Sequence, residues 1–183
     1  MRAGKLKDRT TLYSARTEGA QPTWPLIGKA WAGFQEPRSV GRGEQTGIRS
    51  VESTYVQMRY RPDIQQGQLM ERQGMWYVVE SVEPGFSRSE LAVSARRIVG
   101  AVAQYKQRGE PATTEVLAFI TRENVYVGPM SEPRMQIELF QPQLPYPWGR
   151  RGDTIALFGG TFTVEGVVEG SDNGVTLKVM VIS

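Results

Sequence analysis

Cysteine and histidine are both missing from the 183 residues. Their absence excludes thiol nucleophiles, disulfide staples, thiolate zinc sites and the usual imidazole acid–base chemistry. Carboxylates, lysines and hydroxyls remain. Long apolar runs are lacking too, since no stretch approaches the roughly 18 residues a spanning helix needs. Met1-Arg-Ala-Gly also lacks the apolar run of a signal peptide. A soluble intracellular product with no membrane partner is expected. Charge of one sign is scarce: 22 Lys and Arg stand against 19 Asp and Glu, a net +3. The cationic excess lies in residues 1–100, and residues 101–183 are slightly acidic. An imbalance of this size steers partners weakly and does not mark a nucleic-acid enzyme.

What is present suffices for one substantial core or two small ones, with 39% hydrophobic and 9% aromatic residues. The organising stretch is Gly67-Gln-Leu-Met-Glu-Arg-Gln-Gly74-Met-Trp-Tyr-Val-Val-Glu-Ser-Val-Glu-Pro-Gly85. At a constant offset it is matched by Gly152–Gly170, through Gly67/Gly152, Gly74/Gly159, Tyr77/Phe162, Val79/Val164, Glu80/Glu165, Val82/Val167 and Gly85/Gly170. A one-residue gap then places Leu91 and Val93 over Leu177 and Val179. Either chance likeness among Gly- and Val-rich strands or a doubled β-module accounts for this, and repetition is weighed before single-domain readings. Each copy reads as a short strand, a Gly-bearing tight turn, a strand with Val on alternate positions, and a third strand after Pro84-Gly85 or Asp172-Asn173-Gly174.

Elsewhere, Thr10–Tyr13 favours strand, and Arg16–Pro25 reads as an irregular hairpin loop. Trp24 in that loop is either an interface aromatic or a local packing residue. Lys29–Phe34 is the next strand, with Trp31 toward the core. Residues 36–53 are rich in Gly and Arg and poor in large apolar groups. A loop of that length is a solvated surface loop, or it reaches a neighbouring subunit or a DNA backbone through Arg38, Arg42 and Arg49. A helix over Gln45–Glu52 is admissible, weakened by Gly47. Thr54–Tyr60 alternates, with Tyr55, Gln57 and Arg59 on one face and Val56, Met58 and Tyr60 on the other. A short helix over Arg97–Lys106 is also admissible. Strands are read at Thr113–Thr121, Glu123–Val127 and Arg134–Phe140. Gln141–Gly149 carries three prolines and reads as a rigid excursion. Its Tyr146 and Trp148 either enter a partner or fold back as a lid.

These readings give an all-β chain: a small antiparallel β-barrel or sandwich with long loops over 1–100, a linker at 101–110, and a smaller second β-module over 111–183, a degenerate repeat on the doubled-module reading. No catalytic constellation emerges. Gly41-x-Gly43 lacks the strand–helix context of a phosphate loop. Asp63, Glu71, Glu80, Asp153 and Glu165 read as a solvated strand face in preference to a metal site. No catalytic residue, cofactor or metal is expected, and the aromatics are not interleaved with a basic run as in a base-stacking platform.

Met1-Arg-Ala-Gly-Lys-Leu-Lys-Asp-Arg-Thr-Thr-Leu resembles the opening of tailed-phage head–tail joining proteins, also called head-closure or stopper proteins. The order continues through Trp31-Ala, the Arg38–Arg49 loop, Val56-Gln-Met-Arg-Tyr60, Ile64, Gly67, Gly74-Met-Trp-Tyr-Val-Val and Leu91-Ala-Val, covering about residues 1–97. The resemblance implies a virion protein of the neck, made in the host cytoplasm. It would form a ring, usually of six subunits and alternatively twelve, between portal or adaptor proteins above and tail proteins below. Packaged double-stranded DNA would pass through its lumen and meet loop 36–53 by backbone contacts. The appended second module departs from the family pattern, and Tyr146 and Trp148 are its candidate tail-side contact. A tail-completion or tail-terminator ring is the alternative.

Overall fold

The computed structural model describes residues 6–36, 45–85, 87–127 and 130–183, with backbone alone for 122–134. The chain divides into two compact units. One comprises Met1–Gln45 with Arg49–Ile98, and the other Thr46–Ile48 with Val99–Ser183. No α-helix occurs among the described residues.

The first unit contains β1 (Asp8–Tyr13), β2 (Leu26–Gln35), β3 (Arg49–Arg59), β4 (Leu69–Arg72), β5 (Met75–Pro84) and β6 (Glu90–Ile98). They form a closed antiparallel barrel in the order β1-β2-β3-β6-β5-β4, with β4 pairing back onto β1. The second unit contains β7 (Ala101–Lys106), β8 (Thr114–Val127), β9 (Met130–Phe140), β10 (Thr154–Leu157), β11 (Gly160–Val167) and β12 (Thr176–Ile182). Its barrel runs β7-β8-β9-β12-β11-β10, closed by β10 on β7. Strand for strand, the two barrels have the same order.

The repeated sequence positions carry the same backbone devices. Gly67 N–H donates to Val79 O at 2.9 Å and Val79 N–H to Gln68 O at 2.9 Å. The equivalents, Gly152 to Val164 and Val164 to Asp153, are both 2.8 Å. The two-residue turns joining β4 to β5 and β10 to β11 hold both central residues at positive φ: Gln73 52° and Gly74 79°, Phe158 50° and Gly159 79°. Positive φ at both positions is the type I′ requirement, whose twist suits the flanking strands. The ladder then shifts between Val79 and Ser81 and between Val164 and Gly166, so Glu80 and Glu165 occupy matching bulges. Core pairs match as well: Val56 faces Val93 and Met58 faces Leu91, as Ile137 faces Val179 and Leu139 faces Leu177. All eight are buried. Alternation places these side chains inward at every second residue, which fills each barrel from all its strands.

Several expectations change. Residues 101–106, read as linker and as the end of a helix, are strand β7, because Ala103 and Tyr105 alternate inward to the second core. Gln45–Glu52 is not helical; β3 begins at Arg49. The second unit is not the thinner one, having six strands of its own. Trp31 faces outward at 57% exposure, since its neighbour Ala32 takes the inward position. Tyr60 stands one residue beyond β3 and is exposed rather than sharing the buried face of Val56 and Met58. Thr113–Thr121, Glu123–Val127 and Arg134–Phe140 resolve into one long hairpin, β8–β9. β7 covers β8 only at Thr114–Ala118, and β12 covers β9 only at Gln136–Phe140. From Arg122↔Met135 to Val127↔Met130 the two strands pair with each other.

A β-branched side chain is strained at positive φ, so Gly74→Val is expected to destabilise the chain by about 1–3 kcal/mol. Gly74→Asn should lose much less, because Asn visits this region readily. Thermal melts of the two variants check the turn, and equal melting temperatures would refute it.

Candidate partner interfaces

Arg38 and Arg42 lie outside the described residues. Arg49 belongs to the sheet rather than to a loop. It opens β3, pairs with Ile98 and accepts a 2.6 Å hydrogen bond on its carbonyl from Gln45 Nε2. Just before it, Ile48 is fully buried. Its N–H donates to the buried Glu138 carboxylate at 2.9 Å, and Thr176 Oγ1 donates to the same carboxylate at 2.7 Å. The end of the 36–53 segment is therefore core and strand. Trp24 is half-buried.

The proline-rich excursion is pinned along its length. Gln141 N–H donates to Val175 O, Leu117 N–H to Gln143 Oε1 at 2.8 Å, and Gln107 Nε2 to Pro145 O and Pro147 O at 3.0 and 2.9 Å. Trp148 packs against the second core and meets Tyr146 edge-on, with centroids 5.4 Å apart. Tyr146 itself stays 44% exposed. The excursion thus folds back as a lid with an aromatic edge on its surface.

Asp153 overturns the solvated reading of its carboxylate, for it is fully buried. It accepts hydrogen bonds from the Tyr105 hydroxyl, from Arg108 N–H at 2.8 Å and from Arg150 N–H at 2.8 Å. Tyr105 in turn accepts from Gly149 N–H at 3.1 Å. The equivalent position in the first barrel is Gln68, whose Oε1 accepts from Gln65 N–H at 3.0 Å, the same three-residue reach as Arg150 to Asp153. The acid is therefore a turn clamp, and its charge is met by three donors. Glu80 is likewise engaged, accepting from Ser53 Oγ at 2.6 Å and pairing with Arg96 at 2.7 Å. Asp63 pairs with Arg61 at 2.5 Å, and that hydrogen bond holds its carboxyl below the usual range. Among the described residues no group of three acids stands in metal-binding array.

The surface of the first barrel carries a feature that linear sequence conceals. Register places Arg9 beside Trp31 and Thr11 beside Lys29 on the outward face of β1 and β2. Arg59 ends the neighbouring β3. Leu6, Lys29, Trp31, Arg59, Arg61 and Ser89 line an open groove of about 870 Å³. Arg61 is occupied by Asp63, whereas Arg9, Lys29 and Arg59 join no ion pair among the described residues. Three strands thus assemble a cationic surface around one Trp, and Trp and Arg are among the residues enriched at protein interfaces. The only linear signal is the i, i+2 spacing of Lys29 and Trp31, which alternation puts on one strand face.

The second barrel displays Phe158, 79% exposed at the left-handed first position of its tight turn. A bulky aromatic there is both strained and wet, a local conflict that marks surfaces kept for contact. On β11 and the turn after it, Glu165, Val167 and Glu169 are exposed, and neither acid is ion-paired among the described residues.

Comparison of the chain with protein-family models, with curated proteins and with solved structures returns no match.

Two outcomes test these assignments. Burial first, then the bond to Asp153, raises the Tyr105 phenol well above its ordinary range, with Gly149 N–H acting the other way. The folded chain therefore holds this proton at a pH where the unfolded chain releases it. The stabilisation is complete below the ordinary tyrosine value of about 10 and is lost as pH rises further. Tyr105→Phe is expected to cost about 1–3 kcal/mol at neutral pH and to flatten the alkaline loss, measured by denaturant melts across pH. Phe158→Asn, by contrast, should stabilise by about 1 kcal/mol through relief of the turn, and a lower melting temperature would contradict the strain.

Proposed function

We propose that the chain is a structural virion protein of the tailed-phage neck, joining the DNA-filled head to the tail and helping to close the portal channel. It acts by assembly and gating, without turnover. The observation that carries this reading is a coincidence of boundaries. Residues 1–97, which bear the resemblance to head–tail joining proteins, are the span whose strands, β1 to β6, close the first barrel. The β2–β3 connection lies within residues 36–53, the segment for which the resemblance implies a channel role, although Thr46–Ile48 belongs to the second unit and Arg49 already opens β3.

Surface chemistry supports an assembling protein over an enzyme. Trp31, Tyr146 and Phe158 are exposed large aromatics, and the two barrels are otherwise closed, leaving no strand edge along most of their circumference. Among the described residues, the far part of the β8–β9 hairpin pairs only within itself. A lone two-stranded ribbon is marginal in water and gains from docking, as expected of a subunit whose arms order on assembly. In the neck reading the subunits form a ring, six-fold or twelve-fold, below portal and adaptor and above the tail.

The test is where the chain sits and with what symmetry. Electron-microscope averages of particles carrying it are expected to show a ring at the capsid vertex. Heads assembled without it should fail to join tails and should lose packaged DNA. A ring at the end of the tail tube would transfer the assignment to a tail terminator, and a chain absent from particles would overturn both.

A further inference from the structure

We infer that the Trp31 groove of the first barrel is a self-recognition site whose occupant is the acidic β11 face of a second copy of this chain. The inference rests on the assembly reading above and names the surfaces through which subunits meet.

The groove defines its occupant by chemistry. It offers an indole, the Leu6 side chain and the cations Lys29 and Arg59, which join no ion pair among the described residues, with Arg9 alongside Trp31. Arg61 is already neutralised by Asp63 at 2.5 Å and positioned by a further bond to Lys29 O at 3.4 Å, so it forms a wall rather than a free charge. A fitting ligand therefore has an apolar centre with carboxylates around it. The second barrel presents such a surface: Val167 is 42% exposed, between exposed Glu165 and Glu169. The bulge at Glu165 shifts the register of β11 against β12 before Val167. Among the described residues, the acidic face does not repeat on the first barrel. At the position equivalent to Glu165, Glu80 is consumed by Arg96 and Ser53. At the position equivalent to Val167, Val82 packs against the first core instead of solvent.

A contact between two different patches is heterologous, and heterologous contacts generate closed rings or open filaments according to the rotation per step. Opposed charges at its rim set the direction of association and suppress the like-with-like alternatives, cation groove on cation groove and acid face on acid face. The chain thereby gains a polarity: its first barrel carries the socket and its second barrel the plug.

The experiment uses the full chain and measures self-association by sedimentation at rising concentration. Wild type is expected to associate at about 50 mM salt and to dissociate toward about 0.5 M, as screened charges require. Lys29→Glu/Arg59→Glu and Glu165→Lys/Glu169→Lys should each weaken association by about tenfold or more while keeping wild-type melting temperatures, since all four side chains are exposed. Mixing the two variants should restore it, because the reversed groove of one then meets the reversed face of the other. A wild-type chain monomeric at every concentration and low salt overturns the contact, while leaving the location of the chain in particles to decide the neck reading. Loss of association in both variants without rescue on mixing overturns the pairing of these two faces. Retardation of a short DNA duplex by wild type but not by Lys29→Glu/Arg59→Glu, with no self-association, would give the groove to nucleic acid instead.

Discussion

Barrel closure is the constraint on which both units depend, and in each it falls to the shortest strand. β4 reaches β1 through Thr11↔Glu71, Leu12↔Met70 and Tyr13↔Leu69. β10 reaches β7 through Thr154↔Lys106, Ile155↔Tyr105 and Ala156↔Gln104. Three residue pairs must hold shut what would otherwise be two open edges, each a template for unwanted pairing. The devices repeated between the halves all bear on that closure. The type I′ turn aligns the short strand with its long partner, and the bridge from Gly67 to Val79, or Gly152 to Val164, extends the ladder past the strand end. The bulge then adds the local twist that bends the long strand around the barrel.

The two units solve the same closure with different chemistry. Leu12 and Met70 meet as apolar neighbours in the first. In the second, Tyr105 replaces the aliphatic group opposite Ile155 and carries a hydroxyl into the interior. A buried hydroxyl needs a partner, and Asp153 supplies it while also collecting two backbone N–H groups from the flanking turns. A carboxylate with three donors tolerates burial that an isolated one would not. The chemistry that resembles an active site, a buried acid against a phenol, is thus a structural clamp.

With both interiors filled and clamped, the variable content of the molecule lies outside. Strand alternation or turn geometry forces several aromatics outward, among them Trp31, Phe158 and, on the lid, Tyr146. The polarity between a cationic first barrel and an acidic β11 face follows the charge asymmetry of the two halves.

The sequence alone determined the strand character of the chain and its tight turns, because alternation and Gly-bearing turns are local, and it offered internal repetition as one of two readings of the match between Gly67–Gly85 and Gly152–Gly170. Val56, Met58, Val93, Leu177 and Val179 were legible as core for that reason. Tertiary structure alone decided that the repeat spans whole barrels, since β1 to β3 and β7 to β9 share strand order without shared residues. It also decided that Trp31 points outward, that Asp153 is buried, and that Arg9, Lys29 and Arg59 share one face. Those outcomes depend on cross-strand register and closure, which join residues distant along the chain, and where a strand such as β2 carries apolar groups on both faces its local pattern does not encode which face a closing barrel will turn inward.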